Sequence, residues 1–223
     1  MQSFKELIAQ FSQHFEQQHF PEQPSQLYNA ASHILDIGGK RIRPVLCLMG
    51  NELFDTLRPD AFEVGSAVEL FHNFTLLHDD IMDKAPLRRG KPTVHTVYGE
   101  PAAILAGDVM LINVYERLNR VDALYKQKII SVFNKAAIEV CEGQQLDMDF
   151  ESMEPEQVKY DDYVNMIGLK TSVLLAASLQ LGAIIGGAGE GNQQHLYAFG
   201  KNIGIAFQIQ DDYLDAFGDP EKF

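Results

Sequence analysis

The sequence predicts an all-α fold, a bundle of about ten helices around a central cavity. Apolar residues recur at intervals of three and four along most of the chain, which is the spacing of one helix face. The pattern contains neither the sustained two-residue alternation of strands nor a hairpin signal. The 223 residues, 46% of them hydrophobic, can supply one sizeable core, so we expect residues 1–223 to form a single helical domain.

The predicted helices follow one another with short breaks at Gly and Pro residues. Phe4, Leu7, Phe11 and Phe15 share one face and predict the first helix. The segment 84–92, with two prolines and a glycine, is predicted to be a loop. The other predicted helices span 42–54, 59–83, 101–119 and 122–150, a short segment after 155, and then 171–185 and 192–217.

Two copies of the same acidic pentad lie near the ends of predicted helices, at residues 79–83 and 211–215. Each copy places carboxylates at i and i+4, which is one helix face. A single Asp-Asp-x-x-Asp in an acidic protein is weak evidence, because charge runs are usually solvated faces. Two copies inside apolar helices favour a site for a hard cation, and Mg²⁺ is the common choice when phosphates complete its shell. His72 and Gln208 fall on the same faces as the two pentads.

The charge distribution indicates a phosphorylated ligand. The net charge of −13 and the pI of about 4.9 argue against nucleic acid and anionic membranes as partners. Seven of the 18 Lys and Arg residues nevertheless crowd into two short stretches: Lys40, Arg41, Arg43, Lys84, Arg88, Arg89 and Lys91. Cations concentrated in an acidic protein with carboxylate clusters favour a site for phosphate and metal.

Other features point to a cytoplasmic protein without stable membrane insertion. Cys47 and Cys141 have apolar neighbours, so we expect reduced core residues and no zinc site. The N-terminus lacks the apolar region of a signal peptide. The most apolar stretch, 172–188, carries Gln180 and several Ser and Gly residues, which suits a buried helix better than a membrane span.

Seven segments together resemble the trans-isoprenyl diphosphate synthases, the polyprenyl synthetase family. Each alone is a weak signal, but they follow the family's order and approximate spacing. The segments are 38–44, His72 with 77–83, 88–93, 107–108, 143–147, 170–171 and 208–215.

The resemblance implies an isoprenoid synthase-type bundle and head-to-tail prenyl transfer from an allylic diphosphate to isopentenyl diphosphate. It implies three Mg²⁺ ions, two held by Asp79 and Asp83 and a third by Asp211. Asp80, Asp212 and Asp215 are then expected to tune the metal shell or to bind through water. Arg88 and Lys170 would grip the allylic diphosphate, while Thr171 and Gln208 would direct oxygen dipoles toward the allylic cation. The departing diphosphate would accept the proton.

Isopentenyl diphosphate keeps its diphosphate, so side chains and not metals should bind it. The family positions for this role are Lys40, Arg43, His72 and Arg89, with Gly39 allowing close backbone approach. Arg41 is expected to be structural or solvated. Because cations at a helix start oppose the helix dipole, a bound anion explains this cluster better than a solvated helix end.

Three further expectations concern the product, the partners and the extent of the chain. Phe74, five residues before Asp79, resembles the aromatic floor of family members that make products near geranylgeranyl length, although a plain core role stays open. The family implies a homodimer. Its members usually extend further, so we expect this sequence to lack C-terminal helices and a further lysine for the allylic diphosphate.

Three other readings of the sequence stay open. A class I terpene cyclase would share the first pentad but normally carries an Asn/Ser/Glu-type second motif. A non-catalytic prenyl-diphosphate-binding subunit would be expected to have lost pentad aspartates, and all six are present. A di-iron carboxylate bundle needs paired Glu-x-x-His motifs, of which only Glu69 with His72 fits.

Overall fold

The computed structural model describes residues 2–16 and 20–218, and within them the all-α prediction is confirmed. The helices in these ranges are α1 Phe4–Phe15, α2 Ser25–Ile37, α3 Ile42–Glu52, α4 Pro59–Met82, α5 Val94–Tyr98, α6 Glu100–Asn119, α7 Ala123–Glu151, α8 Tyr160–Ile167, α9 Val173–Ile185 and α10 Glu190–Phe217. A 3₁₀ turn at Pro155–Gln157 precedes α8, and a π-turn at Gly168–Ser172 joins α8 to α9. The strands β1 Leu87–Arg88 and β2 Lys91–Pro92 lie between α4 and α5.

The chain divides into two compact units. The first unit comprises Met1–Val45 and Phe62–Asp122, and the second comprises Leu46–Ala61 and Ala123–Phe223. The grouping of residues 1–223 as one domain stays a prediction.

Helix α4 is the core helix of the first unit. It is buried without interruption from Val64 to Phe71 and becomes half-buried toward its acidic end. A Cβ on Gly65 would lie 3.3 Å from the ring of Phe11 and 3.4 Å from Pro44, so α1 and the start of α3 pack closely on it. Because α4 is fixed along its length, the side chains of its last two turns are held on a rigid support.

The predicted loop 84–92 contains a hairpin that the sequence pattern did not indicate. Strands β1 and β2 pair antiparallel through Arg88 and Lys91, and Arg89 and Gly90 form the turn with φ of 51° and 75°. Positive φ at both central positions is the geometry of a type I′ hairpin turn, which usually carries Asn-Gly or Asp-Gly. An arginine occupies the first of these positions, so the usual sequence signal is missing.

Helix α2 anchors this hairpin from one side. His33 Nε2 lies 2.8 Å from the carbonyl oxygen of Pro92, and Lys91 Nζ donates to the carbonyl of Asp36 at 2.9 Å. Thr93 Oγ1 closes the base of the hairpin by donating to the carbonyl of Ala85 at 2.7 Å. The two arginines of the hairpin are therefore presented from a braced loop.

Helix α9 is the core of the second unit. All of its residues except Gln180 are buried, which confirms the prediction of a buried helix in this apolar stretch. Two glycines allow neighbouring helices to pack closely on α9. A Cβ on Gly182 of α9 would lie 1.9 Å from the carbonyl of Cys47 on α3, and a Cβ on Gly200 of α10 would lie 2.7 Å from Ala176 of α9. Helices α7 and α10 complete the packing around α9.

One helical run in the described residues, Tyr160–Ile185, is long and apolar enough to cross a membrane by length and composition alone. Of its most apolar window, 78% is buried inside the protein. Burial of this kind is typical of a core helix, so the run is weak evidence for a membrane span.

Three sequence predictions need correction or extension. Helices α2 and α5 were not predicted, and the helix expected to begin at Thr171 is preceded by α8 and the π-turn. Cys141 was predicted to be a core residue like Cys47, but it lies exposed on α7 while Cys47 is buried. Glu142 follows it directly and Glu139 lies two residues before it, so the local sequence is less apolar than the prediction assumed.

Candidate active site

The aspartates of the first pentad point in two directions at the end of α4. Asp80 is 2% exposed and turned inward, whereas Asp83 is exposed and Asp79 half-buried. The spacing of Asp79 and Asp83 places this pair on one face of the helix. The pentad therefore consists of one buried aspartate and a more exposed carboxylate pair, the outward pair, in which Asp79 is partly buried and Asp83 is exposed.

Arg88 of the hairpin holds the buried aspartate. Its Nε lies 2.9 and 3.0 Å from the two oxygens of Asp80, and its Nη2 lies 2.9 Å from Oδ1. The same Nη2 lies 3.6 Å from Oδ2 of Asp79. Two-pronged pairing of this kind fixes the guanidinium plane. Arg88 is thereby held beside the outward pair, the neighbourhood predicted for the allylic diphosphate.

A second polar cluster lies farther back along α4. Arg43 Nη1 is 3.2 Å from Nε2 of His72. Arginine can only donate, so this nitrogen of His72 accepts and its ring proton sits on Nδ1. A Cβ on Gly39 would lie 3.0 Å from Arg89 Nη1. Four residues predicted for isopentenyl diphosphate thus come together in this unit, and the fifth, Lys40, is exposed next to Gly39.

The electrostatics of this cluster suit an anion. Burial, followed by the charges of Arg43, Arg89, Arg88 and Arg41, lowers the pKa of His72 well below its ordinary value. Burial also lowers the pKa of Arg43 to about 10, against the opposing effect of Glu69, and lowers the pKa of Arg89. Each cation in the group is held at a cost that a bound diphosphate would relieve.

Glu69 is the buried counter-charge of this cluster, a role that the sequence did not reveal. Its side chain is 4% exposed and accepts from Arg41 Nη1 and, at 3.3 Å, from Asn73. Arg41 also lies over the ring of Phe15, 5.1 Å from its centroid. Of the two roles expected for Arg41, structural or solvated, these contacts support the structural one. The only available signal was an acidic residue within an apolar helical stretch.

In the second unit, the π-turn carries Lys170 and Thr171. A Cβ on Gly143 of α7 would lie 2.2 Å from the backbone nitrogen of Lys170, so only glycine permits this approach. Lys170 Nζ lies 2.5 Å from Oδ2 of Asp147, one turn after Gly143 on α7. Single π-turns inserted in α-helices occur frequently at functional sites. The segment 143–147 therefore contacts Lys170 twice, through the backbone at Gly143 and through the carboxylate of Asp147, which pairs with the ammonium group.

The second pentad divides in the same way as the first. Its middle aspartate, Asp212, accepts from Tyr163 at 2.5 Å and from Nε2 of Gln208 at 2.8 Å. Asp211 and Asp215 are exposed and lie one turn apart. In each pentad, then, the middle aspartate makes close hydrogen bonds to other side chains, and an i, i+4 pair is more exposed, although Asp79 also lies 3.6 Å from Arg88. Tyr163 was not predicted, because no local pattern links it to a residue on α10.

The outward pairs fit a hard cation without enclosing one. Among residues 2–16 and 20–218, no group of three or more His, Cys, Asp or Glu side chains is arranged to hold a metal. Each pair supplies carboxylate oxygens only, which suits Mg²⁺, and Mg²⁺ commonly keeps several waters or phosphate oxygens in its shell. The donor set therefore fits Mg²⁺ bound jointly with a phosphorylated ligand.

Phe74 lies between the two polar clusters of the first unit. Its ring is half-buried, with centroids 4.6 Å from the ring of His78 and 5.7 Å from that of Phe71. A Cβ on Gly107 of α6 would lie 2.3 Å from Nε2 of His78. The aromatic row thus rests directly against the backbone of α6.

Comparisons with known proteins agree on one family. The family model described as polyprenyl synthetase matches residues 24–223. A short chain isoprenyl diphosphate synthase of Methanocaldococcus jannaschii is 45% identical over 204 residues, covering 91% of this chain and 62% of the relative. A geranylgeranyl diphosphate synthase of Methanosarcina mazei is 43% identical over 194 residues, covering 86% of this chain and 59% of the relative.

A solved structure gives the same result for the fold. The crystal structure of a geranylgeranyl pyrophosphate synthase superimposes with a TM-score of 0.94 at 49% identity, covering 99% of this chain and 67% of that one. The isoprenoid synthase-type bundle predicted from the sequence is thereby confirmed. The chain spans about three fifths of the length of the curated relatives it matches.

Proposed function

Because the chain belongs to the polyprenyl synthetase family, we propose that it carries out head-to-tail condensation of isopentenyl diphosphate with an allylic diphosphate. The product is a trans-polyprenyl diphosphate one isoprene unit longer, and diphosphate is released. The observation that carries this proposal is the presence of two distinct diphosphate environments on α4. An outward carboxylate pair with Arg88 occupies its last turns, and His72, which contacts Arg43, lies about 10 Å farther back along the helix axis.

The carboxylate pairs are suited to the diphosphate that leaves. Asp79 and Asp83 would hold two Mg²⁺ ions, and Asp211 would hold a third. Bound Mg²⁺ supplies Lewis-acid neutralisation of the charge that develops on a departing diphosphate. Arg88, fixed by Asp80, adds a guanidinium beside this position. Lys170 contributes a second cation once its ammonium exchanges Asp147 for a phosphate oxygen.

The reaction needs oxygen dipoles that stabilise the allylic cation in a site shielded from water. It does not need a dedicated protein base, because the departed diphosphate accepts the proton. The allylic carbon–oxygen bond breaks and its electron pair leaves with diphosphate. The double bond of isopentenyl diphosphate then forms the new carbon–carbon bond, and loss of a proton to the departed diphosphate restores a double bond. Thr171 on the π-turn and Gln208 on α10 would direct their oxygens toward the allylic cation, which stabilises it electrostatically.

The basic cluster is suited to the diphosphate that stays. Lys40, Arg43, His72 and Arg89 would bind isopentenyl diphosphate, with Gly39 leaving room for the guanidinium of Arg89 and for close backbone approach. His72 is neutral in the free protein, since its pKa is well below its ordinary value. An arriving diphosphate would raise that pKa and favour the imidazolium, which adds a charge where it is needed.

We further propose a product in the farnesyl to geranylgeranyl range and a cytoplasmic homodimer. The half-buried ring of Phe74, five residues before Asp79 on α4, supports a floor for a chain of intermediate length. The exposed apolar side chains of Ile104, Leu105 and Ile112 on α6 support an interface with a second copy.

The experiment that tests the proposed function is product analysis. The complete protein containing these residues is incubated with Mg²⁺, isopentenyl diphosphate and geranyl or farnesyl diphosphate, and the products are separated by chromatography. An elongated linear diphosphate supports the proposal. A released cyclic hydrocarbon would instead identify a terpene cyclase, and tight binding of both substrates without any product would identify a non-catalytic subunit.

A further inference from the structure

Asp212 is held at both of its carboxylate oxygens. The hydroxyl of Tyr163 donates to Oδ2 at 2.5 Å, and Nε2 of Gln208 donates to Oδ1 at 2.8 Å. Three side chains from α8 and α10 therefore form one connected chain of hydrogen bonds. Bonds to an ionised acceptor are about twice as strong as neutral ones, so this chain restricts each member.

The chemistry of the carboxylate decides which way the amide of Gln208 faces. An ionised carboxylate only accepts hydrogen bonds, and in the amide only the NH₂ group donates. The nitrogen must therefore face Asp212, and the carbonyl oxygen Oε1, in the same amide plane, must point away from Asp212. An uncharged partner, such as an Asn side chain, would permit either orientation.

Tyr163 is suited to keep this arrangement. Burial, the hydrogen bond to Asp212 and the charge of Asp212 all raise the pKa of Tyr163. The hydroxyl therefore stays protonated and remains a donor over the whole working range of pH. Without it, Oδ2 of Asp212 would have no hydroxyl to restrain rotation of the carboxylate, and the amide of Gln208 would follow that rotation.

The packing of α10 on the π-turn fixes the position of Gln208 relative to that turn. A Cβ on Gly204 would lie 2.7 Å from the Cβ of Ser172, and Lys201 and Ile205 lie against Gly168. These contacts seat α10 directly on the π-turn that carries Thr171. Gln208 is one turn beyond Gly204, so its amide is carried on the same tightly packed stretch.

We infer that Tyr163 is a positioning residue, which acts through Asp212 to turn the carbonyl oxygen of Gln208 toward the allylic cation. The inference deepens the proposed function and rests on it. Tyr163 is not one of the residues proposed to bind substrate or metal, and its hydroxyl is linked to Gln208 through the two hydrogen bonds to Asp212. Loss of the hydroxyl should therefore slow bond cleavage without weakening substrate binding.

A double-mutant cycle tests this inference in the complete protein. Tyr163→Phe should lower kcat about tenfold, the effect of a lost hydrogen bond to a charged group, and leave both KM values within about twofold. Added to Gln208→Ala, Tyr163→Phe should cause no further fall, because its effect passes through Gln208. Tyr160→Phe is the matched control, since this exposed tyrosine on the same helix should leave kcat unchanged. The same fall in both backgrounds, or a rise in KM with kcat unchanged, overturns the inference.

A readout without turnover separates this inference from the proposed function. The side-chain amide protons of Gln208, identified as the NMR signals lost in Gln208→Ala, should exchange with solvent about tenfold faster in Tyr163→Phe. Equal exchange rates in the two proteins overturn the inference. An unaltered chain that yields no elongated product overturns the proposed function, and the exchange rates then decide the inference on their own.

Discussion

Arg88 and Asp80 form a two-pronged ion pair, with Nε 2.9 and 3.0 Å from the carboxylate oxygens and Nη2 2.9 Å from Oδ1. Asp80 is 2% exposed, so this pair fastens the hairpin to the end of α4. It also explains why the pentad has three aspartates although only two face outward. The middle aspartate holds Arg88 in place, 3.6 Å from Asp79 of the outward pair.

This pairing predicts different effects for neighbouring aspartates. Asp80→Asn should lower the free energy of unfolding by about 2 kcal/mol, because Arg88 loses its buried counter-charge. It should also raise the KM for the allylic substrate. The exposed Asp83, changed to Asn, should leave stability within about 0.5 kcal/mol. Urea unfolding of both variants and of the parent measures the free energies of unfolding. Equal destabilisation by the two changes would contradict the prediction.

The lowered pKa of His72 predicts a pH dependence of stability. A histidine whose folded pKa is depressed contributes stability that is present above its unfolded pKa of about 6.5 and lost as the pH falls toward the folded value. Between pH 7.5 and 5.5, the unaltered protein should lose about 1 kcal/mol more than His72→Gln. Urea unfolding at the two pH values measures the difference, and parallel losses in both proteins would show that His72 titrates normally.

The close approach of Gly143 to the π-turn predicts a severe effect of one methyl group. In Gly143→Ala the Cβ would lie 2.2 Å from the nitrogen of Lys170, so α7 must move away from the turn. The free energy of unfolding should fall by about 3 kcal/mol, as expected for overpacking of a core. Gly191→Ala is the control, since its Cβ meets nothing within 4 Å and stability should be unchanged or slightly higher. Similar stability of both variants would refute the prediction.

The position of Phe74 predicts control of product length. Phe74→Ala should lengthen the product, because removal of the ring opens space on α4 beside the ring of His78. Phe62→Ala, on the same helix but against His14, should leave the product unchanged. Chromatography of the reaction products compares the two variants with the parent. An unchanged product from Phe74→Ala would show that the ring is a plain core residue.

Local pattern was sufficient for much of the fold, for the two acidic pentads and for the two basic stretches, whereas the role of Lys170 was expected only from the family resemblance. The position of Asp79 and Asp83 on one face depends only on helix geometry. The boundaries of α4 and α6 follow from a proline near the start of each helix and from the helical spacing of their apolar residues. The partners of the middle aspartates could not be predicted in this way. Arg88 with Asp80 depends on a hairpin whose turn has arginine at positive φ, and Tyr163 with Asp212 depends on the packing of α8 on α10.

The ion-pair partners of the cations in the site could not be predicted from the local sequence either. Lys170 pairs with Asp147 across two helices, and Glu69 neutralises Arg41 from a buried position. Either carboxylate could have been a surface residue as far as its sequence neighbours indicate. Only the tertiary structure shows that Asp80 and Asp147 pair closely with the protein cations Arg88 and Lys170.

The central claim is that the leaving diphosphate is bound through metal and the retained diphosphate through side chains. Calorimetric titration of the complete protein tests this claim most directly. One ligand is isopentenyl diphosphate and the other is an unreactive thiolo analogue of farnesyl diphosphate, and each is titrated once with Mg²⁺ and once with a chelator. We predict that removal of Mg²⁺ weakens binding of the allylic analogue at least about tenfold and leaves binding of isopentenyl diphosphate within about twofold. Equal dependence of the two ligands on Mg²⁺ would contradict the claim.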